Sequence, residues 1–167
     1  MSSSDQLAQM VRAQVLGMSI EWTPGMFGIA IDTREQRPWK WHASVPYTGA
    51  TLAAGDYAPI GCESSIAIER KSLSDLWGSV TRDNARFQRE LSKLAKYKYA
   101  AVVIEGAQAA ILRGNRYSQI DGSRVLSTCA TLETKFGVPF HFAGDRANAA
   151  IWALHLLESA WRRAEVK

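Results

Sequence analysis

Apolar, β-branched runs recur along the chain, each ending on polar residues: FGIAIDT (27–33), SIAIERK (65–71) and AAVVIEG (100–106). Runs of this length, bounded by Gly and polar clusters, predict strands. The third, apolar almost throughout, predicts a strand buried on both faces. TLAAGDYAPI (51–60) predicts another, bent at Gly55 and joined to SIAIERK by a turn around Gly61, and VPFHFAG (138–144) predicts a short one. Elsewhere the period is helical. Ser72, three residues before Asp75, predicts a helix opening, with one helix or two from about Asp75 to Lys98 and a break near Thr81 to Asn84. Further helices are predicted from Ser123 to Phe136, stopped by Gly137, and from about Asp145 to Arg163. Gln36 to Thr51, rich in Trp, Pro and Gly, predicts an irregular segment. Near the N-terminus Ser4 and Asp5 can cap a helix carrying Leu7, Met10, Val11 and Val15, set apart by Trp22, Pro24 and Gly25. The pattern predicts an α/β domain over residues 26–167, a mixed central β-sheet flanked by helices, after a helical appendage over residues 1–25.

One predicted strand has an unusual end. In IAIERKSLSDL (66–76), alternation puts Ala67, Glu69 and Lys71 on one face and Ile66, Ile68 and Arg70 on the other. Glu69 and Lys71 alone could be an ion pair on an edge strand. Three further carboxylates stand at predicted strand ends, Asp32, Glu35 and Asp56, and strand ends are where sites assemble in open α/β sheets. If Asp56 and Glu69 face each other on adjacent antiparallel strands, about 5 Å apart at Cβ, they repel and raise each other's pKa unless a cation lies between them. Hard oxygen ligands of this kind suit Mg²⁺ or Mn²⁺. Lys71, on the same face, can orient or deprotonate an attacking water, or offset charge on a phosphoryl transition state.

The bulk composition narrows the setting. A chain of 167 residues, 47% apolar and 22% charged, suits one domain with a real core and argues against extensive disorder. Lys and Arg exceed Asp and Glu by 20 − 16 = 4, which favours an anionic partner without naming one. Cys62 and Cys129 form no CxxC pair and have no His at ligand spacing, so neither a zinc site nor a disulfide framework is indicated. The N-terminus lacks the basic start and apolar stretch of a signal peptide, and no run approaches the ~20 apolar residues of a membrane span. The expected setting is cytoplasmic, with no membrane partner.

IDTRE (31–35), GDY (55–57), ERKSLSDL (69–76) and ARF (85–87) resemble the nuclease domain of the XPF family of structure-specific endonucleases, a branch of the PD-(D/E)xK nuclease superfamily. That family's signature is Gly-Asp, a variable gap, Glu-Arg-Lys, and an Asp four residues after the Lys. Here it stands as Gly55-Asp56, a gap of twelve residues, Glu69-Arg70-Lys71 and Asp75. The resemblance runs from about Phe27 to the C-terminus and fades after Glu105. It implies a restriction-endonuclease-like core and metal ligation by Asp56 and Glu69, helped by the Arg70 carbonyl and by Asp32 or Glu35 through water. Lys71 would be the catalytic lysine. Arg70 and Asp75 share the motif, although Arg70 points to the opposite face of a flat strand and could simply pair with Asp75, and Asp75 could simply cap a helix. Arg34 could clamp a phosphate or pair with Glu35.

The activity so implied is Mg²⁺- or Mn²⁺-dependent hydrolysis of branched, flapped or junction DNA in repair or recombination. One rival is a non-catalytic DNA-binding partner subunit, which typically loses motif acids; another is a restriction-type nuclease with sequence specificity. No helix-hairpin-helix pattern follows the domain and no GxxxxGK[ST] loop occurs, so substrate choice is expected from a partner protein or to be loose. A compact version of this kind suits a bacterial or phage-infected host cytoplasm.

Arg82, Arg86, Arg89, Lys93 and Lys96 recur at spacings of four, three, four and three, one stripe on a helix, with Phe87, Leu91 and Leu94 opposite. Beside the nuclease motif, such a ridge is expected to meet DNA phosphates; Arg86 also matches a family Arg and could belong to the site. Trp39, Trp41 and Tyr47 could stack on unpaired bases or fill a core. His42, His141 and His155 form no nucleophile or zinc pattern. In the last helix, Trp152, Leu154, Leu156, Leu157 and Trp161 spread round the circumference and leave only a narrow polar strip of His155, Glu158 and Arg162. The excess apolar face predicts a homodimer, as the resemblance does, unless the N-terminal segment and the Trp-rich loop enclose it.

Overall fold

The structure is a computed structural model, described here for residues 23–42 and 44–165; the predicted N-terminal helix lies outside the described residues. Six strands form one mixed sheet. They are β1 (Ile29–Asp32), β2 (Tyr47–Ala50), β3 (Tyr57–Pro59), β4 (Ile66–Ser72), β5 (Tyr99–Glu105) and β6 (Phe140–Phe142). The sheet order is β2-β1-β3-β4-β5-β6, with β3 antiparallel to both its neighbours and every other pairing parallel. Among the described residues the helices are α1 (Leu73–Val80), α2 (Asn84–Leu94), α3 (Gln108–Leu112), α4 (Gly122–Phe136) and α5 (Arg146–Glu165).

Alternation along β4 and β5 divides the core in two. Ala67, Val102 and Ile104 pack with Leu76, Phe87, Leu91, Val125 and Leu132 beneath α1, α2 and α4. Ile66, Ile68, Ala101 and Val103 pack with Ala149, Ala153 and Leu157 of α5 and with Trp39 and Tyr57. The small residues of α5 let it lie close on the sheet. β5 is buried from Ala100 to Ile104, as its continuous apolar run predicts, because helices cover both its faces.

The strands differ from expectation in two places. Tyr47 to Ala50, predicted as irregular, form edge strand β2 beside β1, fully exposed up to Ala50 and so without an alternating pattern to betray them. TLAAGDYAPI yields only the three residues of β3, because Leu52 N–H is taken by the Asp32 carboxylate rather than by a ladder. Among the helices, α1 opens at Ser72, whose side chain accepts from Asp75 N–H, and the predicted break is real. At that break Thr81 Oγ1 donates to Trp77 O at 2.6 Å and Asp83 N–H to Gly78 O at 2.9 Å, which closes α1 before α2 begins. α2 stops at Leu94 rather than near Lys98, and α3 was not expected. Gly137 ends α4 in the left-handed conformation, φ 67°.

Candidate active site

β3 and β4 bring the motif together. Tyr57 stands opposite Ile68, so one step further Asp56 is level with Glu69. Asp56 is held by its backbone on both sides: its N–H donates to Ile68 O and its carbonyl accepts from Asp32 N–H, each at 2.8 Å. Gly55 makes this possible. Its φ is +74°, and a Cβ there would stand 3.0 Å from Ala67 Cβ and Ile68 O, so any side chain would push Asp56 away from β4. The Asp56 carboxylate accepts the Arg70 N–H at 2.7 Å through Oδ2, leaving Oδ1 without a hydrogen bond among the described residues.

On the same face, Lys71 Nζ lies 2.8 Å from Glu69 Oε1, 3.6 Å from Glu90 Oε2 of α2 and 4.7 Å from the Phe87 ring centroid. Lys71 is 7% exposed and Glu69 9%. Burial, then the Glu69 charge, pushes the Asp56 carboxyl up to about 8. Burial raises Glu69 too, against the pull of Lys71. For the Lys71 amine burial works in the other direction, but Glu69, Glu90 and Asp56 outweigh it and hold the amine protonated, above its ordinary value. The amine is thus a buried cation paired with Glu69.

These residues line one wall of an open cavity of about 960 Å³, rimmed by Arg82, Arg86 and Lys93. Among the described residues no group of three or more His, Cys, Asp or Glu is arranged to hold a metal ion. Two facing carboxylates do fit Mg²⁺ or Mn²⁺, which take one or two carboxylates and complete their shell with water and phosphate oxygens. Burial raises both carboxyls above the usual range, the Glu69 charge adds to it at Asp56, and Lys71 offsets only part of this.

The family model for the ERCC4 domain matches residues 31–156, a stretch that contains the whole of this wall. The chain belongs to the ERCC4-domain, XPF-type nuclease family. Its fold is also that of XPF from Aeropyrum pernix, with a TM-score of 0.63 at 23% identity over 82% of this chain and 66% of that one. A second structure, described as XPF from Aeropyrum pernix in complex with DNA, gives a TM-score of 0.65 at 23% identity over 83% of this chain and 66% of that one. This chain thus spans just under two thirds of the solved chains it resembles. No curated protein matches its sequence.

Within this ERCC4 domain several predicted partners change. Arg70 pairs with Glu105 of β5 (Nε to Oε1, 2.7 Å) and Glu35 (3.2 Å), not with Asp75; it lies on the opposite face from Lys71, as alternation requires. Asp75 N–H donates to Ser72 Oγ, and the same hydroxyl donates to Asp75 Oδ2 at 2.5 Å, a helix cap at the cavity edge. Arg34 clamps Asp32 (Nε to Oδ1, 2.7 Å) and the Leu52 carbonyl, not Glu35. Asp32, proposed from sequence as a ligand through water, spends both oxygens on Arg34 and Leu52 N–H, and the Arg34 hydrogen bonds hold it down at about 2. Glu35 spends Oε1 on Arg37 N–H and Arg70.

The basic stripe is cut by the α1–α2 turn and the end of α2, so only Arg86, Arg89 and Lys93 share that helix. Arg82, Arg86 and Lys93 line the cavity, with Glu90 between them; Arg89 and Lys96 are exposed outside its lining. Trp39 is 2% exposed and stacked on Tyr57 at 4.7 Å in the core, Trp41 is half-buried against it and donates to Ala150 O, and Tyr47 is exposed. The residue sequence reasoning missed is Glu105. It accepts from Arg70, from Trp39 Nε1 at 2.7 Å and from Arg146 at 2.7 Å, tying β4, the Trp-rich segment and the start of α5 to one point. Its signal was an acid closing an otherwise apolar strand, as at Asp32.

Proposed function

We propose that this chain is a Mg²⁺- or Mn²⁺-dependent endodeoxyribonuclease that hydrolyses phosphodiester bonds of branched, flapped or junction DNA, with residues 26–167 as its nuclease domain. The observation that carries the reading is Asp56 level with Glu69, and Lys71 2.8 Å from Glu69, on the wall of an open cavity with a basic rim. Membership of the ERCC4-domain family supports it, as does the fold shared with a protein solved in complex with DNA.

Asp56 and Glu69 would hold the metal, which supplies charge to the phosphoryl group and lowers the pKa of an attacking water. Asp56 and Glu69 are presented to the cavity by the β3–β4 pairing, and Arg70 N–H fixes the Asp56 carboxylate in place. The Lys71 ammonium donates to the oxygen of the attacking water and orients it, or stabilises charge growing on phosphoryl oxygens. Arg82, Arg86 and Lys93 neutralise flanking phosphates. The test is a panel of end-labelled duplex, fork, flap, single-strand and four-way substrates with Mg²⁺, Mn²⁺ or EDTA. Metal-dependent internal cleavage of at least the branched members is expected. No cleavage of any member would leave a DNA-binding partner subunit as the better reading, and equal cutting of linear duplex at fixed sequences would favour a restriction-type nuclease.

A homodimer through α5 belongs to the same proposal. The helix buries Ala149, Ala153 and Leu157 on the sheet and Trp161 against Phe27, which encloses much of its apolar circumference. Ile151 and Trp152 stay 54% and 44% exposed beside edge strand β6, and they are the surface a second copy would cover. Light scattering at micromolar concentration should give twice the monomer mass.

A further inference from the structure

A second basic hollow opens off the catalytic cavity on the far side of the α1–α2 turn. It has a volume of about 550 Å³ and is lined by Arg82, Asn84, Ile120, Arg124 and Thr128. Arg82 lines both hollows, so they meet at that side chain. Beside the second hollow runs the loop of residues 113–121, between α3 and α4.

Of the arginines here, Arg82 is exposed and lies 3.6 Å from Asp83. Arg113, Arg116 and Arg124 form no ion pair among the described residues, and Asp121, the acid within the loop, is turned onto Ser123 N–H and Oγ. At the loop's tip Tyr117 is 82% exposed, with the Arg116 guanidinium 4.6 Å from its ring centroid. The loop is held firmly at its base. A Cβ on Gly122 would meet Ile111 O at 2.0 Å, so the ends of α3 and α4 touch, and Ile120 packs on the main core. Asn115 Oδ1 accepts Tyr117 N–H at 2.9 Å. A loop closed at its base carries this exposed aromatic ring at its tip.

We propose that this hollow and loop form a second nucleic-acid subsite, which takes an unpaired DNA strand leaving the catalytic cavity. Arg82 and Arg124 receive successive phosphates, and Tyr117 with Arg116 is the platform on which a base stacks. A single strand is the occupant that matches the chemistry, because duplex hides the faces of its bases and a flexible strand can turn from one hollow into the next. The subsite rests on the DNA reading above and specifies how branched substrates would be told from duplex.

Binding measured in EDTA separates the two claims, since it requires no cleavage. Fluorescence anisotropy would compare a fork carrying one single-stranded arm with a blunt duplex of the same paired length, for the full chain and for Tyr117→Ala combined with Arg124→Gln. Both side chains are exposed, so the melting temperature should not move. The wild type is expected to prefer the fork, the double variant to lose about tenfold of that preference with blunt-duplex binding unchanged, and Tyr117→Phe to retain it. No fork preference in the wild type, an undiminished preference in the double variant, or an equal loss on both DNAs would each overturn the subsite. Absence of cleavage in the Mg²⁺ panel would overturn the nuclease reading alone.

Discussion

Consecutive residues at the end of β4 point to two faces whose electrostatics are opposite. Glu69 and Lys71 emerge on the α2 face, where Asp56 and Glu69 face each other and both carboxyls are pushed up. Arg70 emerges on the α5 face between Glu35 and Glu105, and Glu105 is pulled down because Arg70, Trp39 and Arg146 outweigh its burial. On the α2 face Lys71 is shared between Glu69 and Glu90, and Asp56 has no ion pair among the described residues, whereas on the α5 face Arg70 and Arg146 both pair with Glu105. The strand that presents the two raised acids is fixed from behind by these ion pairs. Arg70 makes the link in person, its side chain locked to Glu105 and its N–H holding Asp56.

The comparison breaks first if the α2 face proves inert. Lys71→Ala and Asp56→Ala should each lower single-turnover DNA cleavage by about a thousandfold or more while the folded state survives. On the α5 face the loss should be one of stability. Arg70→Ala leaves Glu35 and Glu105 buried without their main cation, and urea unfolding should show a loss of about 3 kcal/mol; a variant as stable as the wild type would show that the two faces do not differ as described.

Acidity separates two acids of the same cavity, Asp56 and Asp32. Asp56 has a folded-state value of about 8 against 3.8 for the free group, so without metal the native state binds its proton more tightly and loses stability as pH rises between those values. Asp56→Asn in EDTA should therefore be more stable than wild type at pH 8, by about 1–2 kcal/mol, with the gap closing below pH ~4. Asp32 behaves in the opposite sense. Held at about 2, it stabilises the fold above pH ~4 and that contribution is lost as pH falls through its folded value, so Asp32→Asn should narrow the acid-side decline. The smallest effect belongs to Asp75→Ala, which should cost about 1 kcal/mol as a lost helix cap and leave cleavage intact; a collapse in rate at unchanged stability would move Asp75 into the site.

Much of this was legible in the residues. Glu69 and Lys71 could be assigned to one face and Arg70 to the other because a strand alternates with period two whatever surrounds it. Gly55 announced a bend before Asp56, though not its close approach to β4, and the Ser72–Asp75 spacing announced the helix opening. What could not be read was partner choice across the sheet. Arg70 finds Glu105 because β4 and β5 are parallel neighbours, a long-range fact carried by no local spacing. Strand β2 was hidden for a related reason: an edge strand exposed on both faces needs no apolar alternation. The basic stripe was overread because its helical spacing was continued through a turn closed by Thr81 and Asp83.

The most direct test of the account replaces Glu69 by Gln, which keeps the shape and removes the charge. Cleavage of a labelled fork in Mg²⁺ and thermal midpoint in EDTA would be measured on the same preparation. Cleavage should fall by about a thousandfold or more, with a midpoint equal to or above that of the wild type; cleavage at the wild-type rate would show that the Glu69 carboxylate takes no part in the reaction.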